Sequence, residues 1–165
     1  MEAHTKVKHL SAPLFFLRHG QTNWNLERRL QGLNDVSLNE TGFQQAKSLA
    51  PLIHELEIKD CICSPMLRAR QTLAQLQLNC PVRVDHKWQE LSINLQSLQP
   101  PRAKLAPEQL KPYTLIVSHG SVFEALCHTL AIPVKVLDNC SLVEISIGNT
   151  IKIHHSGYPL VNRQE

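Results

Sequence analysis

Phe15-Phe16-Leu17-Arg18-His19-Gly20 and Leu115-Ile116-Val117-Ser118-His119-Gly120 share one layout: a short apolar run that ends directly in His-Gly. An apolar run of this length, without polar alternation, fits a strand buried on both faces, as strands are in parallel sheets. Ligands of open parallel sheets bind beyond the carboxyl ends of the strands. If the two strands are neighbours, His19 and His119 open onto the same rim despite their distance in sequence. Gly20 and Gly120 are then expected to let backbone approach a ligand closely.

The segments around this pair alternate between strand and helix. Asn39–Leu56 has helical spacing, with Phe43, Ala46, Leu49, Ala50 and Ile53 on one stripe and Asn39 as the N-cap. Asp60–Ser64 reads as a strand with Cys61 and Cys63 on one side. Ser64 is expected to cap a following helix that starts at Pro65 and carries Arg68 one turn in. Val82–Lys87 reads as a third strand. A helix from about Gly120 to Leu130 follows the second His-Gly strand. Leu142–Ile147 and Thr150–His154 flank Gly148-Asn149, a two-residue hairpin signal. Leu95–Pro112 holds four prolines and reads as a loop with one short helix. The expected fold is α/β: a three-layer sandwich with a mostly parallel central sheet, helices on both faces and an antiparallel edge hairpin. Residues 13–158 are expected to form its single domain, with 1–12 and 159–165 as tails.

The chain of 165 residues is 42% hydrophobic and 19% charged, enough apolar material for one sizeable core. Its net charge of +3 is too small for the dense basic face of a nucleic-acid binder. No apolar run approaches the roughly 18 residues of a membrane span. The start, through Pro13, lacks the apolar stretch of a signal peptide. The five cysteines are odd in number and contain no C-x-x-C pair, which leaves buried free thiols and a reducing, cytoplasmic compartment as the expectation.

On the rim, Arg18, Arg68, His19, His119 and a helix N-terminus make a pocket for a dianion. Phosphate suits it, because planar guanidinium forks bind its oxygens in pairs. A metal site competes, since histidine is the commonest ligand. Two adjacent arginines would repel a cation, and no carboxylate shows ligand-like spacing to the histidines. No metal and no cofactor are expected.

The motifs R-H-G-x-T-x-x-N at Arg18–Asn25, S-P-x-x-R-A-x-Q-T at Ser64–Thr72 and S-H-G at Ser118–Gly120 resemble the histidine phosphatase superfamily, the phosphoglycerate-mutase-like group in its first branch. L-Q-G-x-x-D-x-x-L-x-x-x-G-x-x-Q-A from Leu30 to Ala46 and N-x-S at Asn139–Ser141 also look like it. The resemblance implies His19 as the nucleophile that becomes a phosphohistidine, with Arg18, Arg68 and His119 stabilising the transferred group. It implies Asn25, Gln31, Gly32, Gly120 and Ser121 as substrate contacts, and Glu90 in WQELS as the general acid. Many members continue from this glutamate into a glycine- and aromatic-containing segment and a long helical lid. Here SINLQSLQPPRAKLAPEQLKP follows instead, a shorter lid that would leave the pocket open to water and to large substrates. A phosphatase acting on a phosphorylated metabolite or protein side chain is the first expectation. A mutase and a non-catalytic phosphate-binding protein are the alternatives.

Overall fold

The computed structural model describes residues 10–91 and 105–156. Its elements run β1 (Leu14–Arg18), α1 (Asn23–Leu26), α2 (Glu40–Glu55), β2 (Asp60–Cys63), α3 (Leu67–Leu76), β3 (Val82–Val84), β4 (Thr114–Ser118), α4 (Gly120–Thr129), β5 (Ser141–Ser146) and β6 (Thr150–Ser156). They build one six-stranded sheet in the order β3-β2-β4-β1-β5-β6. The first four of that order are parallel, and the β5–β6 hairpin adds an antiparallel edge. This is the expected α/β architecture.

Side-chain alternation along the strands sorts the core into two layers. Phe16, Ile62, Ile116 and Val143 face one way and pack with Val122, Phe123 and Leu126 of α4. Phe15, Leu17, Cys61, Cys63 and Val117 face the other way, against Ala46, Leu49 and Ile53 of α2 and Ala69 and Leu76 of α3. Helices therefore cover both faces, which is why β1 and β4 need no polar alternation. Phe16 is fully buried and meets Phe123 ring to ring, with centroids 5.1 Å apart. A side chain of this size contributes roughly 2–3 kcal/mol on burial. All five cysteines are free thiols, four of them buried, and burial pushes Cys63 up to about 12. Among the described residues no helix is long and apolar enough to cross a membrane.

Several local expectations need correcting. Asn39 does cap α2, accepting from Gly42 N–H at 2.9 Å. Ser64 does not cap α3, which begins at Leu67 with Met66 in the cap position. The third strand is only Val82–Val84, an exposed edge. The hairpin loop has three residues, since Ser146 pairs with Thr150, and both Gly148 and Asn149 take positive φ. Leu10, within the segment expected to be a tail, is buried in the α4-side core, so packed chain begins before residue 13. The proline-rich stretch contributes a short 3-10 turn at Pro107–Gln109; its residues 95–104 lie outside the described residues.

Candidate active site

The register of β1 on β4 sets the site. Arg18 stands opposite Ser118, and His19 N–H donates to the Ser118 carbonyl at 3.0 Å. Both histidines therefore leave the sheet at one edge, with ring centroids 5.2 Å apart. His19 is only 1% exposed, and its Nδ1 lies 2.7 Å from the Gly20 carbonyl oxygen. A carbonyl can only accept, so Nδ1 carries the proton and Nε2 keeps a lone pair. Burial holds the imidazole well below the usual histidine range, and the charges of Arg18 and Arg68 push it further. His119 is depressed in the same way, by burial first and then by His19, Arg68 and Arg18.

Arg68 is fully buried at the start of α3. Its Nη1 donates to the Asn34 carbonyl at 2.9 Å and its Nη2 to the Gly32 carbonyl at 3.0 Å. Arg18 Nη1 donates to the Leu137 carbonyl. Arg18 Nε, Arg68 Nε and His119 Nδ1 are buried with no hydrogen-bond partner among the described residues. Arginine Nε is a donor only. Orphaned buried donors are rare enough to need an explanation, and a bound anion supplies one.

Glu90 comes into the same cluster from the segment after β3. Its Oε2 lies 3.4 Å from Arg68 Nη2 and 3.4 Å from His119 Nδ1, while Oε1 accepts from the Ser121 hydroxyl. One donor atom each from His19, Glu90 and His119 lies within 4.8 Å of the others, a spacing that could hold a cation. No spacing in the sequence marks this carboxylate as a partner of the histidines; the fold brings it there. Two guanidiniums flank the trio against a single carboxylate, so the local balance favours an anion.

The remaining expected contacts are placed less uniformly. Asn25 Oδ1 accepts from Thr22 N–H at 3.1 Å and from Asn139 Nδ2 at 3.1 Å. Gln31 is buried and accepts from the Thr22 hydroxyl, and Gly32 meets the cluster through its carbonyl on Arg68. Ser121, expected on the substrate, has its hydroxyl on Glu90. Gly120 lies against Arg18, and Gly20 approaches the backbone of Gly42 in α2 closely. Two supports had no role assigned from sequence. Asn139 Nδ2 also donates to the His19 carbonyl at 3.2 Å, and Thr72 Oγ1 accepts from Gly20 N–H at 2.9 Å while donating to the Arg68 carbonyl at 2.7 Å. The four-residue spacing of Arg68 and Thr72 on one helix was the available signal for the second.

The sequence model of the histidine phosphatase superfamily (branch 1) matches residues 14–103. The chain belongs to this superfamily. A probable phosphatase of Schizosaccharomyces pombe is 49% identical over 61 residues, which cover 37% of this chain and 29% of that protein. A probable phosphoglycerate mutase of Escherichia fergusonii is 38% identical over 85 residues, covering 50% of this chain and 39% of that protein. The matches thus span well under half the length of these curated relatives. Among solved structures, a mycobacterial glucosyl-3-phosphoglycerate phosphatase complexed with VO3 superposes with a TM-score of 0.67 at 22% identity, over 87% of this chain and 98% of that one. A phosphoserine phosphatase from Entamoeba histolytica complexed with 3-phosphoglyceric acid gives 0.69 at 18%, over 87% and 95%. At these identities the structures establish the fold.

For this histidine phosphatase superfamily member the two depressed imidazoles predict a pH dependence of stability. The folded pKa values lie below the unfolded value of about 6.5, so below that pH the unfolded chain binds protons that the native state refuses. Stability from both rings is fully present above about 6.5 and falls as the pH drops below it. The two together steepen the loss by about 3 kcal/mol per pH unit at most. Urea unfolding between pH 7 and 5 checks this, and His119→Ala should remove one proton from the uptake. A pH-independent midpoint across that window would contradict it.

Proposed function

We propose that this chain is a metal-independent phosphatase that hydrolyses a phosphomonoester through a phosphohistidine on His19. The observation that carries the reading is the Nδ1-anchored His19, ring to ring with His119 and sharing the site with buried Arg18 Nε, Arg68 Nε and His119 Nδ1 that have no hydrogen-bond partner among the described residues. Nε2 attacks phosphorus, the N–P bond forms, and the P–O bond to the leaving group breaks. Arg18, Arg68 and His119 bear the charge that spreads over the equatorial oxygens. Glu90 gives its proton to the leaving oxygen, then takes one from the water that attacks the phosphohistidine. The N–P bond breaks, phosphate departs, and His19 is restored. Splitting one slow displacement in two is the gain of covalent catalysis.

Asn25, Gln31 and Gly32 form the flank of the mouth in this reading, and Gly120 and Ser121 sit at the helix end that receives the anion. A phosphorylated small molecule is the favoured substrate, because the two superposed phosphatases are named for, or complexed with, such compounds. The free thiols fit a cytoplasmic setting.

The test is phosphate release from p-nitrophenyl phosphate and a panel of alkyl phosphates with EDTA present. Metal-independent release supports hydrolysis. Transfer of the group to a second hydroxyl without free phosphate indicates a mutase, and anion binding without turnover indicates a binding protein. Glu90→Gln should slow alkyl phosphates by about 10²–10³-fold and p-nitrophenyl phosphate much less, since an activated leaving group needs little protonation. Equal loss on both removes Glu90 from the acid's role.

A further inference from the structure

We propose that Ser64 is a positioning residue that fixes His119 in the tautomer protonated at Nδ1, so that the second histidine offers an N–H to whatever binds beside His19. Ser64 directly follows β2, and its N–H donates to the Val117 carbonyl at 2.9 Å, which sets it beside His119 through the β2–β4 register. Both residues are fully buried. The Ser64 Oγ lies 2.7 Å from His119 Nε2. It also accepts from Met66 N–H at 3.3 Å. The backbone N–H can only donate, so it takes a lone pair of Oγ and leaves the hydroxyl proton for another acceptor. Nε2 is the acceptor at hand.

The far end of the ring agrees. Nδ1 faces Glu90 Oε2 at 3.4 Å. A proton there faces a carboxyl oxygen, an acceptor, whereas a lone pair there would face the lone pairs of that oxygen. The opposite tautomer would have Ser64 Oγ accept from both sides while its own proton had no acceptor among the described residues. The charged groups facing His119 are Glu90, Arg18 and Arg68, with His19 beside them. Burial and the two guanidiniums keep the ring neutral, so tautomer rather than charge decides what it presents. That an N–H at Nδ1 serves a bound phosphate rests on the function proposed above; the tautomer itself does not.

The experiment is long-range proton–nitrogen NMR of the full chain labelled with ¹⁵N-histidine at pH 7, with inorganic phosphate as the titrated probe. His119 should show a protonated Nδ1 and a lone pair on Nε2, the less populated form of free histidine. Ser64→Ala should move His119 to mixed or Nε2-protonated signals while His19 stays Nδ1-protonated. Phosphate affinity should fall roughly tenfold, the scale of one hydrogen bond to a charged group. Ser64→Cys keeps the shape with a weaker donor and should give an intermediate pattern; it serves if the alanine variant does not fold. A wild-type His119 protonated at Nε2 or at both nitrogens overturns the proposal, as does an unchanged tautomer in both variants. Absence of phosphatase activity would instead strike the function above and leave these spectra as they are.

Discussion

Replacing His19 by alanine should lower phosphate release by at least about a thousandfold while leaving the chain folded. In the proposed reaction the imidazole is the atom source of the covalent intermediate, and Glu90 and His119 cannot replace it, since one is paired with Arg68 and the other with Ser64. The structural cost should be small. His19 is a neutral buried ring, and its loss opens a small void while the Gly20 carbonyl keeps Asn139 Nδ2 as a donor. A change in unfolding free energy within about 2 kcal/mol is expected. Acid-sensitive labelling of the protein by a radioactive phosphate donor should disappear with the activity. A variant that keeps turnover within tenfold of the parent, or that still labels, would sink the phosphohistidine route.

Gly42→Ala should be the most damaging small substitution for the fold itself. A Cβ at residue 42 would stand 2.1 Å from the Gln21 carbonyl oxygen and 2.8 Å from its nitrogen, and a Cβ at Gly20 would stand 2.6 Å from the Gly42 oxygen. These are backbone atoms, which cannot rotate aside as a flexible side chain would. The same junction is tied by Asn39 N–H on the Gln21 carbonyl at 3.0 Å and by Gln45 Oε1 on Gln21 N–H at 3.0 Å. Overpacking it should cost about 3 kcal/mol. Activity should fall with stability, because the displaced loop carries the backbone that orients His19. Gly120→Ala is the control: its Cβ meets Arg18 side-chain atoms at 3.6 Å, an ordinary contact. Urea midpoints of the two variants should differ by more than 1 M at a slope typical of a small domain; equal midpoints would show that the loop and α2 separate easily.

The sheet and the paired histidines were legible because apolar runs ending in His-Gly are local signals, and β1 and β4 carry them without interruption. What escaped depends on register between distant strands. Ser64 satisfies the sequence pattern of a helix cap, and nothing local distinguishes that use of its hydroxyl from a bond to His119. Gly20 reads as ligand-facing from its place beside a histidine, yet the space it saves is taken by Gly42. Glu90 is named only through the family resemblance, because it has no spacing relation to either histidine and enters the site from the segment after β3. The hairpin loop is longer than the Gly148-Asn149 signal by one residue, because the pairing ends at Ser146–Thr150 and leaves Ile147 in the turn, which the dipeptide alone does not reveal. Thr72 stands in the S-P-x-x-R-A-x-Q-T motif, but its hydroxyl meets Gly20 N–H only through the packing of α3 against the sheet.

The position of β1 between β4 and β5 has a consequence for how the molecule is made. As the chain emerges from a ribosome, Phe15, Phe16 and Leu17 appear 100 residues before their partners in β4 and still longer before those in β5. Until then the most apolar strand has no neighbour to pair with. Its strand pairing must wait for loop closure over that length, which marks a slow, high-contact-order folder. Its exposed nascent edge invites chaperone capture or self-association during synthesis.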